Sequence, residues 1–135
     1  MFSRFSPAAR AVITLAEQEC RNASHYYLGT EHLLLAMAIA PPPDIVEYFN
    51  RAGVEPWLVK RALRSAVVPA DEHPWEGIIV TPRVQRIFTM ALSTKAETDL
   101  VQPIDLLKAI VTDGGGVAAR VLEQLASTPE ATRQR

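Results

Sequence analysis

One pattern is written twice along this chain, and a chain that repeats itself is constrained to fold into two like units. Phe5-Ser6-Pro7-Ala8-Ala9-Arg10-Ala11-Val12-Ile13-Thr14-Leu15-Ala16 returns as Val80-Thr81-Pro82-Arg83-Val84-Gln85-Arg86-Ile87-Phe88-Thr89-Met90-Ala91, with the Ser/Thr-Pro start and the strongly apolar positions in register. After a two-residue slip, Leu33 to Met37 aligns with Leu106 to Ile110, and Ile45 to Phe49 with Ala118 to Leu122. The offset is about 74 residues, longer than the roughly 20 to 50 of solenoid units, so two copies of a small subdomain are expected rather than an extended array.

Each copy reads as helices. Ser6 can accept from free backbone N–H groups while Pro7 lacks the donor that would go unpaired, so a helix is predicted from about Pro7 to Asn22. Ala9, Val12, Ile13, Ala16 and Cys20 then form its buried face. Gly29 breaks the chain and Thr30 is placed to cap a second helix, with Leu33, Leu34 and Met37 inward, which Pro41-Pro42-Pro43 ends. A third, from about Asp44 to Ala52, carries Ile45, Val46 and Phe49 and stops at Gly53; a fourth opens at Glu55-Pro56, with Leu58, Val59, Ala62, Leu63 and Ala66 on one side.

From Val67 to Ile79 the pattern lapses into loop chemistry. Thr81-Pro82 then opens a helix with Val84, Ile87, Phe88 and Ala91 inward, Pro103 another with Leu106, Leu107 and Ile110, and Val117 to Leu125 the last, with Gly114-Gly115-Gly116 in place of the triple proline. No useful length alternates with a period of two. The expected fold is all-α: one domain over 1–129, comprising a repeat at about 5–66, a connecting loop at 67–79 and a shortened repeat at about 80–126, then a polar tail at 127–135.

Composition narrows the function. The 135 residues carry 14 basic and 15 acidic side chains, interleaved, for a net charge of -1. With no basic stripe, nucleic-acid binding is not expected. The single cysteine, Cys20, excludes an internal disulfide and any cysteine-based metal cluster, which fits a reducing compartment; with no apolar stretch long enough for a signal peptide or a membrane span, a cytoplasmic protein is expected.

Arg4-Phe5-Ser6-Pro7-Ala8-Ala9-Arg10 and Tyr27-Leu28-Gly29-Thr30-Glu31-His32-Leu33-Leu34-Leu35-Ala36 together resemble the first-repeat signature of the amino-terminal domain of Clp ATPases, most closely the ClpC branch. The resemblance covers about residues 2 to 126. It implies two pseudo-symmetric helical repeats, no enzymatic activity, and docking of adaptors and protein substrates for an ATPase ring. No G-x-x-x-x-G-K-[ST] phosphate loop is present, so no ATP hydrolysis by these residues and no cofactor are expected. The chain reads as a free-standing copy, or as a piece of something longer.

In the ClpC branch a Gly-Thr-Glu-His motif in both repeats supplies glutamates for phosphoarginine. Here the first copy is intact as Gly29-Thr30-Glu31-His32, while the second reads Gln102-Pro103-Ile104-Asp105. The resemblance therefore carries that role to Thr30 and Glu31 only, and phosphoarginine recognition is expected to be halved at best. It also implies a groove near Phe2 and Phe5 for peptides or peptide-like molecules.

The residues themselves also admit plainer roles. Glu31 in a first helical turn is stabilised by the helix dipole whatever it binds. His32 reads as a half-buried packing or hydrogen-bonding residue, His25 and His73 as loop residues, and Cys20 as an inert buried thiol. Phe2, Phe5, Trp57 and Trp75 are either lids over the core or interface anchors. The expected binding set is Phe2, Phe5, Thr30, Glu31 and His32, with no catalytic residue and no metal ligand. The expected function is a non-enzymatic module that binds a Clp ATPase, adaptors or substrate proteins and modulates Clp-dependent proteolysis. The alternative is a decoy that sequesters a peptide antibiotic or a phosphoarginine-bearing ligand. A monomer without membrane contact is the simplest state.

Overall fold

The computed structural model of the chain describes residues 2–67 and 78–126. A single 3-10 turn, Phe2–Arg4, leads into α1 (Pro7–Asn22), β1 (Tyr27–Leu28), α2 (Thr30–Ile39), α3 (Pro43–Ala52) and α4 (Pro56–Ala66). The second half holds β2 (Ile79–Val80), α5 (Pro82–Ser93), α6 (Pro103–Asp113) and α7 (Val117–Ala126). The fold is all-α apart from one short parallel pairing of β1 with β2, Tyr27 opposite Ile79 and Leu28 opposite Val80. The expectations for His73, Trp75, most of the connecting loop and the 127–135 tail lie outside the described residues.

Local signals set the helix starts. Ser6 Oγ accepts from Ala9 N at 3.0 Å at the head of α1, and Thr81 Oγ1 accepts from Val84 N at 3.2 Å at the head of α5. Each hydroxyl satisfies one of the donors a helix leaves open, and Pro7 or Pro82 removes another. Gly53 ends α3 in the left-handed region at φ 69° and Gly114 ends α6 at φ 71°, a conformation that glycine adopts without a Cβ penalty.

Three expectations are corrected. Thr30 is not a cap: Gly29 holds the N-cap position of α2 and Thr30 is its first helical residue. Val46 is exposed rather than inward, because α3 buries only the narrow stripe of Ile45 and Phe49. Ala66, at the frayed last turn of α4, is exposed as well.

α2 is the centre of the core. Every residue from His32 to Ala38 is buried, since α1, α4, α6 and α7 all pack around it. That explains a helix apolar on all sides. Leu33, Leu34, Leu35 and Met37 join Phe5, Phe49, Leu63, Phe88 and Leu106 in one cluster spanning both repeats, each such side chain stabilising by roughly 1.5–3 kcal/mol.

The repeats do not sit side by side; they exchange lead-in segments. The residue before α1's cap bridges to the residue before α6's cap, Phe5 to Val101, with Ser6 N donating to Val101 O at 2.9 Å. Equivalently, the lead-in of α5 pairs with that of α2, Thr81 N donating to Leu28 O at 3.2 Å. The third helices cross over in the same way, α3 onto α6 and α7 onto α2. Two equivalent clefts result, one at each crossing.

Candidate functional site

The cleft where α7 meets the head of α2 gathers chemistry from both repeats. Tyr27, Gly29, Thr30 and Glu31 line it from the first, and Thr81, Arg83, Gly115, Gly116, Val117 and Arg120 from the second, around a volume of about 280 Å³. Thr30 is buried, and its Oγ1 accepts from Ala118 N at 3.3 Å, so it satisfies an open donor at the start of α7. Glycine allows close approach here, and a Cβ would make its neighbours shift. A Cβ on Gly116 would stand 2.6 Å from Thr30 Oγ1 and 3.0 Å from Arg83 Cδ, and one on Gly115 would stand 2.5 Å from Arg83 Nη1.

Charges of both signs line this cleft. The Glu31 carboxylate folds back over Gly29, into the space a Cβ there would fill. The Tyr27 phenol nearby is pushed up from 10.0, first by burial and then by the Glu31 charge. Arg83 donates to Asp113 Oδ2 at the end of α6. Arg120, exposed on α7, makes no ion pair among the described residues. A guanidinium without a partner and a carboxylate at a helix N-terminus thus face one pocket.

Beneath Glu31 lies a pair of imidazoles. His32 is fully buried rather than half-buried, and His25, in the loop between α1 and β1 as expected, is buried too. His32 Nδ1 accepts from Gly29 N at 3.0 Å, and its Nε2 lies 2.8 Å from His25 Nδ1. Burial, with His25 adding to it, lowers His32 to about 4. Both rings contact Tyr27, His25 stacked at 5.1 Å and His32 edge-on at 5.2 Å.

Cys20 is buried, its Sγ donating to Tyr27 O at 3.2 Å. Burial first, then the Glu31 and Glu17 charges, push the thiol up to about 12. No thiolate nucleophile is present at neutral pH.

The equivalent cleft at the crossing of α3 and α6 places its charges differently. It holds Asp44, Glu47, Tyr48, Arg51, Ile104 and Lys108 around about 230 Å³. Ile104 stands where the first cleft has Glu31, and Glu47 where it has Arg120. Asp44 Oδ2 accepts from Ile104 N at 3.0 Å, while Asp105, in the register of His32, accepts from Gln102 N at 2.8 Å.

The structure brings Thr30, Glu31 and His32 together but not Phe2 and Phe5. Phe5 is 1% exposed and packs edge-on against Phe2 at 5.2 Å and Phe88 at 5.5 Å. It is a core residue, because the Phe5–Val101 bridge draws it between the repeats. Phe2 is half-buried over the same cluster, and neither lines the Glu31 cleft. Trp57, at 56% exposure, stands on α4 with the Arg61 guanidinium 5.3 Å from its ring centre. Sequence reasoning missed Tyr27, Arg83 and Arg120 as cleft residues. Arg83 follows Pro82 at a helix start, and Gly115-Gly116 marks a close approach, but only the crossing of the repeats joins them to Glu31.

A duplicated all-α domain with exchanged lead-ins and clefts between its repeats defines a class of small helical-repeat domains. Residues 4–99 match the Clp repeat (R) N-terminal domain family, and the chain belongs to that family. It is 30% identical to the chloroplastic chaperone protein ClpC1 of Oryza sativa over 142 residues, 98% of this chain and 15% of that one. Against the negative regulator of genetic competence ClpC/MecB of Bacillus subtilis it is 27% identical, over 99% of this chain and 17% of the relative. The chain thus spans about one-sixth of the length of these curated relatives. Among solved structures it resembles the N-domain of ClpV from Vibrio cholerae, with a TM-score of 0.76 at 17% identity over 98% of this chain and 82% of that one. The Hsp104 N-terminal domain of Candida albicans gives 0.76 at 18% identity, over 98% of this chain and 89% of that one. No described helix is long and apolar enough to cross a membrane.

Proposed function

We propose that the chain is a non-enzymatic binding module that captures protein partners through the Glu31 cleft and so modulates Clp-dependent proteolysis. The observation that carries this reading is the placement of Glu31, Arg120 and the Gly115-Gly116 backbone around one pocket. A side chain bearing both a guanidinium and an anionic phosphoryl group suits it, the first against Glu31 and the second against Arg120, by charge-assisted hydrogen bonds. Phosphoarginine on a substrate or adaptor protein has that chemistry. The Ile104 cleft lacks the carboxylate, so one site per chain is expected.

A binding role fits the inert surroundings: the Cys20 thiol is held protonated and the His32 imidazole has both nitrogens in hydrogen bonds. The cleft is built wholly from this chain, so it suits equally the sequestration of such a ligand away from a longer unfoldase. A reducing, cytoplasmic setting and a monomeric state belong to the same reading.

Calorimetry with free phosphoarginine at pH 7.5 tests the proposal. One site, weakened at least tenfold in Glu31→Gln and in Arg120→Ala, is expected. Absence of binding to the folded wild-type chain would sink the phosphoarginine reading. Equal binding by both variants would move the site elsewhere.

A further inference from the structure

We propose that His25 and His32 are positioning residues for Glu31, a buried proton-operated latch that holds the cleft's wall while both rings are neutral and releases it when one proton is added. The proposal extends the reading above to regulation of the same site, but its geometry stands without any ligand.

Proton placement follows from the hydrogen bonds. Gly29 N–H is a donor, so His32 Nδ1, 3.0 Å away, must be the bare nitrogen of that ring. The His32 proton is therefore on Nε2, 2.8 Å from His25 Nδ1, which accepts it. A proton added to His32 can go only to Nδ1, where it meets the Gly29 N–H donor to donor. A proton added to His25 goes to its Nδ1, and His32 must then move its own proton from Nε2 to Nδ1 to accept. Either way one proton ends the Gly29 bond.

That bond matters because Gly29 is the N-cap of α2 and Glu31 folds back over it. Tyr27, which lines the cleft beside Glu31, stacks on His25, so the imidazole pair touches both the cap under the carboxylate and its aromatic neighbour. Among the described residues, titratable and polar groups reach the pair from three elements, and His25 has a further contact of its own. α1 brings Cys20, whose thiol is bonded to Tyr27 O, and Glu19, which binds Arg64 of α4 at 2.8 Å and Asn22 at 3.1 Å; Glu17 lies further along α1. β1 brings Tyr27 with Tyr26 beside it, α2 brings Glu31, and the described β2 residues are the apolar Ile79 and Val80. In the second repeat the matching bond, Gln102 N to Asp105 Oδ2 at 2.8 Å, is made by a carboxylate and not by an imidazole. The latch belongs to one cleft of the two.

The experiment is an NMR titration of the ligand-free chain from pH 7.5 to 4, following the His25 and His32 ring nuclei, the Gly29 and Gln102 backbone amides and the Tyr27 ring protons. The Gly29 amide and the Tyr27 ring are expected to move with the His32 ring on one midpoint, near half the full change at pH 4. The Gln102 amide should not follow. In His32→Asn, whose side-chain oxygen still accepts from Gly29 N, the Gly29 signal should hold its position, losing at least four-fifths of the wild-type shift. A Gly29 amide that stays fixed while the His32 ring titrates would overturn the latch. So would an unchanged Gly29 shift in the folded Asn variant. Should His32→Asn not fold, the wild-type co-titration decides alone. Failure of phosphoarginine to bind at pH 7.5 would refute the ligand reading and leave this result standing.

Discussion

Lowering the pH from 7 to 5 adds a proton to an unfolded histidine but not to His32 in the folded chain, and stability must fall by the difference. His32 is lowered from 6.5 to about 4, so the unfolded state binds more protons throughout that window. The contribution is therefore fully present above about pH 6.5 and lost as pH falls through about 4. The two values give about 2 kcal/mol lost between pH 7 and pH 5 and about 3 kcal/mol once pH is below 4. With a urea dependence of about 1–3 kcal/mol/M for a chain of this size, the unfolding midpoint should drop by about 1 M between pH 7 and 5. Carboxylates titrate in the same range, so the informative quantity is wild type minus His32→Asn, each followed by circular dichroism in urea at pH 7, 6 and 5. The variant's midpoint should fall about 1 M less than the wild type's. Parallel curves would refute the assignment of His32 as a neutral, doubly bonded imidazole.

Three further outcomes follow from the packing. Thr30→Val keeps the side-chain shape but removes the acceptor for Ala118 N, and should cost about 1–3 kcal/mol by denaturant unfolding, with faster amide exchange in the first turn of α7. Phe5→Ala empties the space between Phe2 and Phe88 and should cost about 3–5 kcal/mol, whereas Trp57→Ala on the exposed face of α4 should stay within about 0.5 kcal/mol. Gly116→Ala should displace the Thr30 hydroxyl or the Arg83 stem, weakening phosphoarginine binding in calorimetry by more than it lowers the melting temperature of the free chain.

The helices were legible because their signals are local. Ser6-Pro7 and Thr81-Pro82 fix helix starts by chemistry within four residues, and the expected α1 bounds of Pro7 and Asn22 are those observed. The duplication was legible for the same reason. What periodicity could not carry was the exchange between copies. The Phe5–Val101 bridge and the Thr30–Ala118 bond join residues far apart in sequence, and each changes a role. Phe5, open between lid and anchor and placed in the expected binding set, is core, and Thr30 passes from cap of its own helix to acceptor for another. The contact of His25 with His32 was not legible because the six residues between them hold no helical period; only the turn through Gly29 faces the rings together. Half of the cleft, Glu31 and Thr30, came from a motif in the first repeat. The other half, Arg83 and Arg120, has no motif, and its place follows from α7 crossing onto α2.

Under the proposed function, one cleft, formed where the two repeats cross, takes the ligand. Amide shift mapping of the chain with a phosphoarginine-bearing peptide tests it most directly. The account predicts perturbations concentrated at Thr30, Glu31, Gly116 and Arg120, with Asp44, Glu47 and Ile104 unmoved. Shifts centred on the Ile104 cleft or on Phe2, or equal shifts in both clefts, would contradict it.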